Sequence, residues 1–172
     1  MINTEVFTSI NELAWEKALP EYQELSSHVV SLAVNFINNR EPLDFFESKK
    51  TLLFNLCLSN DQEIHALNKE FRGYDKPTNV LSFANIDDPD FEKSLNTNEE
   101  IEMGDIIIAL ETLQKESQEK RISLHDHFCH LLTHGVLHLL GYDHIEDEEA
   151  EHMEAFEIEI LNLLNISNPY QE

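Results

Sequence analysis

Apolar residues along this chain follow two rhythms: alternation or short solid runs in some stretches, three-and-four spacing in others. Residues 2–10 alternate loosely and predict a first strand. Residues 21–38 carry Leu25, Val29, Leu32, Ala33, Phe36 and Ile37 at helical spacing and predict an amphipathic helix. The run TLLFNLCLS, 51–59, is apolar and of strand length, and Ser59 or Asn60 then caps a helix through about Asn68. NVLSFAN, 79–85, and GDIIIAL, 104–110, predict two more strands, the second followed by a helix up to about Lys120. Between these two strands, IDDPDFEKSLNTNEE, 86–100, has no period and reads as an acidic loop.

Two helices follow. Ser123 is an N-cap, with Asp126 three residues on as a short capping-box partner. From Leu124 to Leu140 the chain is apolar on nearly every side, through Phe128, Leu131, Leu132, Val136, Leu137 and Leu139. Such a helix belongs at the centre, packed on a sheet. A last helix over 146–165 puts Met153, Phe156, Ile160 and Leu163 or Leu164 on one face and leaves a tail at 166–172. The pattern predicts an α+β fold: one compact domain over 1–172, with a small mixed sheet of about four strands packed against helices.

A chain of 172 residues, 41% hydrophobic, suffices for one core. Cys57 and Cys129 both sit in apolar runs and read as core residues, so no disulfide framework is indicated and a reducing, cytoplasmic setting fits. No signal-type segment or membrane span is expected. Charge changes the picture more. There are 34 Asp and Glu against 11 Lys and Arg, a formal net of -23, and no Lys or Arg follows Arg121. That balance argues against a simple electrostatic nucleic-acid binder, because phosphate contacts need local positive charge, but leaves room for a short basic patch on an otherwise acidic body.

The chemistry concentrates in HGVLHLLGYDH, 134–144. His134 and His138 are four apart and share a helix face. Gly141 can end that helix with positive φ, letting the chain turn and bring in His144. Three imidazoles converging on one point make a metal site, zinc by ligand type, with a fourth position for water. The bland alternative is a set of half-buried histidines bonded to backbone. His130 lies on the same drifting stripe, and its part behind the ligands stays open. His125 and His127 read as surface or capping groups, and His28, His65 and His152 as ordinary ones. The frame H-x-x-x-H-x-x-G-x-x-H is that of metal-dependent peptidases, whose general base directly follows the first His. Here that position is Gly135, which cannot take a proton and reads as leaving room beside the metal for a bulky substrate group.

A second run, NKEFRGYDKPTNVLSF, 68–83, gathers Lys69, Arg72 and Lys76 in a loop-like segment before a strand. Arg72 can clamp a phosphate with its planar fork of donors, or pair with an acidic neighbour and lock the loop. The residues alone leave the two open. Ser82 can point toward a site from the strand.

Together these runs, with GDIII between them and IEDEEAEHME after, resemble the YbeY-type endoribonucleases and rRNA maturation factors from about residue 51 to 165. The resemblance implies a compact α+β domain and a single-strand-specific endoribonuclease. It would act in ribosomal RNA maturation, at the small-subunit RNA 3′ end, and in ribosome quality control. It implies one zinc ion on His134, His138 and His144, and Arg72 as the catalytic arginine near the metal. Partners would be single-stranded rRNA with a ribosomal particle or assembly protein to position it, and neither membrane nor DNA. Two departures stand out: Asn79 where the family pattern has Asp, which keeps the hydrogen-bonding shape but loses the charge, and Ala84 in place of a common proline. Whether water or the RNA 2′-hydroxyl attacks stays open. The rival readings are a zinc peptidase or other hydrolase, and a non-catalytic assembly factor whose structural zinc is closed by a fourth ligand from His130, Asp143 or Cys129.

Overall fold

A computed structural model describes residues 1–43 and 50–171. Its sheet has four strands: β1 (Asn3–Ile10), β2 (Thr51–Ser59), β3 (Val80–Ala84) and β4 (Glu100–Ala109). The spatial order is β1-β2-β4-β3, with β1, β2 and β4 parallel and β3 antiparallel at one edge beside β4. This is the expected mixed sheet, within an α+β fold.

Alternation along β4 sends Ile106 and Ile108 into the main core and Ile107 and Ala109 to the other face. On that other face they meet Ile64 of α3 (Asp61–Arg72) and Leu81 of β3. The main core is filled from α2 (Tyr22–Arg40), by Val30, Val34 and Ile37, and from α6 (Leu124–Leu139), by Phe128, Leu132 and Val136. Helix α7 (Asp147–Leu163) adds Met153 and Ile160 to it, and α5 (Leu110–Lys120) adds Leu113. Helix α6 is the spine of this core, as its all-round apolar pattern demands.

The N-caps form as expected, but the capping box does not close, since the Asp126 carboxylate turns to His125 Nδ1 at 2.9 Å. Asn60 accepts from the backbone N–H of Glu63 at 2.8 Å, and Ser123 from that of Asp126 at 3.0 Å. Gly141, at φ 104, ends α6: Gly141 N–H donates to the His138 carbonyl and Tyr142 N–H to that of Leu137. Gly104 is required by contact as well as by φ (133), since a Cβ there would lie 2.0 Å from the Phe83 carbonyl oxygen of β3.

Three expectations need correction. The stretch 86–100 is not a loop throughout. A 3-10 turn (Asn85–Asp87) leads into α4 (Phe91–Thr97), anchored by buried Phe91, and β4 already starts at Glu100. The second helix of the sequence reading, α3, runs on to Arg72 rather than stopping near Asn68, so Arg72 closes a helix instead of sitting in a loop. Gly73, at φ 76, supplies the end. A short helix, α1 (Ala14–Ala18), was not foreseen; it exists to seat Trp15, whose Nε1–H donates to the Ser59 carbonyl at 2.8 Å. Among the described residues no helix is long and apolar enough to cross a membrane. Cys57 and Cys129 are free thiols; Cys129 is buried and Cys57 half-buried beside Glu63.

Candidate metal centre

Helix α6 delivers His134 and His138 one turn apart, and the Gly141 turn folds His144 back onto them. Ring centroids are separated by 4.5 Å (134–138), 5.4 Å (134–144) and 5.0 Å (138–144). One ring nitrogen from each lies within 4.8 Å of the others, which suits a shared metal ion. Among the described residues the cluster has these three members and no fourth protein ligand. Of the proposed closers, Cys129 and His130 face elsewhere, and Asp143 lines the cleft without joining the cluster. Cys129 is in the core, its thiol pushed up to about 12 chiefly by burial. His130 turns to Tyr170 and Glu157, and Asp143 accepts from the His144 backbone N–H at 2.7 Å.

The hydrogen bonds behind the rings decide where their protons sit. His134 Nδ1 lies 2.8 Å from Glu157 Oε1, and His138 Nδ1 lies 2.9 Å from the Tyr142 carbonyl oxygen. A carbonyl can only accept, so His138 Nδ1 carries the proton. Glu157 is buried, and burial pushes its carboxyl up. Hydrogen bonds from His130, His134 and Tyr170 outweigh that and bring it down to about 2. It is therefore an ionised acceptor, and His134 Nδ1 also donates. Both Nε2 atoms are thereby turned toward each other, and they stand 3.0 Å apart. Two ring nitrogens at that distance suit a cation held between or beside them, or a proton shared by the pair. His138 is held down at about 4, first by burial and then by His134 and His144, so its lone pair stays available at neutral pH.

The cluster opens into a cleft of about 570 Å³ whose walls also carry Arg72, Asn79 and Ser82. Arg72 reaches it from the end of α3. Its Nη2 donates to the Ser82 carbonyl at 2.9 Å and its Cζ stands 4.8 Å over the Phe83 ring. Among the described residues no carboxylate pairs with it, so the loop-locking ion pair weighed from sequence is not formed. Its remaining donors face a cleft that also holds Asp87 and Asp143. The Ser82 hydroxyl lies buried in this wall without a partner.

Gly135 does not open space beside the cluster. A Cβ there would meet Ile106 of β4 at 3.0–3.2 Å, so the residue faces the sheet and allows α6 and β4 to approach closely. His127, expected at the surface, is 1% exposed and bonds Glu116 Oε1 at 2.8 Å. Glu116 Oε1 also accepts from Asn79 Nδ2 at 3.0 Å, while Asn79 Oδ1 accepts from the Val80 N–H at 2.7 Å. The amide at 79 thus meets a carboxylate that an Asp would repel. Tyr170, placed in a tail by its sequence position, reaches back to donate to Glu157 Oε2 at 2.5 Å. Glu157 was missed, although a carboxylate on the apolar face of α7, between Met153 and Ile160, was a visible signal.

The molecule is thus defined as an α+β protein with a three-histidine cluster on and just beyond its central helix, spaced as a metal ion would need and set in a cleft beside an arginine. Comparison with known proteins makes this more specific. The model of the family described as Endoribonuclease YbeY matches residues 10–165. Proteins described as Endoribonuclease YbeY are 37% identical over 171 residues in Paramagnetospirillum magneticum (99% of this chain, 98% of that one) and 41% over 170 in Sinorhizobium fredii (99% and 94%). A third, from Francisella philomiragia, is 50% identical over 121 residues (69% and 73%). This chain belongs to the Endoribonuclease YbeY family.

Proposed function

We propose that this protein is a zinc-dependent endoribonuclease that cuts single-stranded ribosomal RNA during maturation of the small-subunit RNA 3′ end and in ribosome quality control. One observation carries the reading: three converging imidazoles share a cleft with an arginine that no carboxylate among the described residues neutralises, in a member of a family described as endoribonucleases.

His134, His138 and His144 would hold the ion, which supplies a Lewis acid for a phosphate oxygen and lowers the pKa of a bound water. Glu157 and the Tyr142 carbonyl keep the first two rings turned with Nε2 forward. Arg72 grips the phosphate through its free N–H groups and offsets charge that builds on its oxygens. The Ser82 carbonyl and the Phe83 ring hold the guanidinium in place for this. A peptidase reading is disfavoured because the position of its base is Gly135, which packs on Ile106. A closed structural zinc is disfavoured by a three-membered cluster at a cleft.

The test is cleavage of single-stranded RNA by zinc-loaded protein, alone and with small ribosomal particles, with product ends resolved. A 2′,3′-cyclic phosphate identifies the 2′-hydroxyl as nucleophile; cleavage that survives deoxy substitution identifies water. RNA left intact in both settings while a peptide library is cut would overturn the proposal.

A further inference from the structure

The end of α3 carries exposed aromatic side chains that packing does not explain. Phe71 is 55% exposed and Tyr74 is 60% exposed, on either side of Gly73. Both flank Arg72, which lines the cleft. The contacts run outward from it in sequence: Arg72 Cζ lies 4.8 Å over the Phe83 ring, and Phe83 meets Phe71 edge to face at 5.5 Å and 72°. An unbroken strip of guanidinium and two rings therefore leads from the cleft to an open aromatic face. Tyr74 has its own cation, with Lys76 Nζ 5.9 Å from its ring centroid. Lys69, Arg72 and Lys76 are all exposed.

Position in the charge map matters as much as shape. In a chain of net charge -23, a local group of Lys69, Arg72 and Lys76 marks a place for a polyanion. The acidic residues interleaved here are Glu70 and Asp75, and Asp75 is engaged by His65 Nε2 at 2.7 Å. A neutral or basic protein partner would match the apolar rings but not this gathering of cations. A duplex would match the cations but keeps its base faces stacked. Unpaired nucleotides match both, since every base has a π-face for an aromatic ring and a phosphate for a cation.

We propose that Phe71 and Tyr74 form a stacking platform for unpaired bases next to the scissile phosphate, with Lys69 and Lys76 on the backbone. This rests on the endoribonuclease reading and adds to it a physical basis for choosing single strands. Stacking of this kind tolerates any base and selects against paired RNA.

The experiment uses the full zinc-loaded chain and a short single-stranded oligoribonucleotide, with a second oligonucleotide made abasic around the cleavage point. Phe71→Ala and Tyr74→Ala are each expected to lower kcat/KM about 5- to 100-fold, mostly through KM, with zinc content and melting temperature unchanged. The abasic RNA should lose a similar factor with the unaltered protein and little more with the variants. A Phe71→Trp variant should recover KM and report binding directly. Trp15 is fully buried, so quenching by the intact RNA reads the new indole. If the unaltered protein cleaves RNA but the alanine variants and the abasic substrate behave as the originals do, the platform is wrong and the nuclease reading stands. If the unaltered protein neither binds nor cleaves RNA, alone or with small ribosomal particles, both fall.

Discussion

Nε2 of His134 and Nε2 of His138 face each other at 3.0 Å, and each ring turns its Nδ1 to an acceptor on the opposite side. The protein has built a concentration of lone pairs that only a cation or an extra proton can relieve. Glu157 is central to this, because it fixes the tautomer of His134 from a fully buried position.

Replacing that carboxylate should therefore weaken metal binding without touching a ligand. Glu157→Gln is expected to lower zinc affinity about 10- to 100-fold, read by competition with a chromogenic chelator. Tyr170→Phe, which removes a single donor to Glu157, should lower it less. Equal affinities in all three proteins would show that the ring orientation is set elsewhere.

Binding and chemistry should separate between two other side chains. His144→Ala should abolish stoichiometric zinc, measured by elemental analysis of folded protein. Arg72→Ala should keep the zinc and lose roughly 100- to 1,000-fold in kcat on RNA. An Arg72→Lys protein should recover little, because a point charge does not reproduce the fork.

Acid should weaken the fold through the His127–Glu116 pair. Burial is the largest influence on His127 and holds its pKa below the ordinary 6.5 despite the bond from Glu116. Burial pushes Glu116 up, but hydrogen bonds from His127 and Asn79 outweigh it, and the carboxyl ends below its ordinary 4.5. Both folded values are depressed, so both contributions are complete above the unfolded pKa and are lost as pH falls. The loss begins near 6.5, where the unfolded imidazole first takes up a proton that the folded one refuses. His127→Gln should cost about 1–3 kcal/mol at neutral pH and flatten the fall in urea midpoint between about pH 7.5 and about pH 5. Parallel curves for the two proteins would rule the pair out as a source.

Gly104→Ala should be among the most damaging single-methyl changes, about 3 kcal/mol or more, since both φ and the Phe83 carbonyl forbid the Cβ. Thermal unfolding of the metal-free protein is the direct check. A melting temperature within about 2 °C of the parent's would contradict the contact.

Naked RNA should bind weakly despite the local cations, because the body around them repels phosphate. Fluorescence anisotropy at moderate salt, with and without small ribosomal particles, tests it: tight binding to any free strand would remove the need for a positioning partner.

Much of this was legible in the residues. Helix α6 and its caps announced themselves because periodicity, Ser123 and Gly141 agree, and the same run displays the ligands at a spacing that only a helix and a turn can bring together. What escaped did so for physical reasons. Helix α4 rests on one buried ring, Phe91, amid seven residues with no period to read. His127 lacks any local sign of burial, because its partner Glu116 comes from another helix. Arg72 looked like a loop residue because Gly73 and Pro77 lie just beyond it, whereas the glycine ends a helix that already includes the arginine. Tyr170 finds Glu157 only once the chain has doubled back.

The three imidazoles are unequally anchored. Two belong to the spine of the molecule and can move only if the core does, but His144 stands beyond Gly141 with 57% of its side chain in solvent. Exchange of a bound ion is thus expected to need only that one short turn to swing outward. A chelator should strip zinc at a rate set by that local opening, indifferent to changes such as Gly104→Ala that alter global unfolding, and the emptied protein should remain folded and ready to reload.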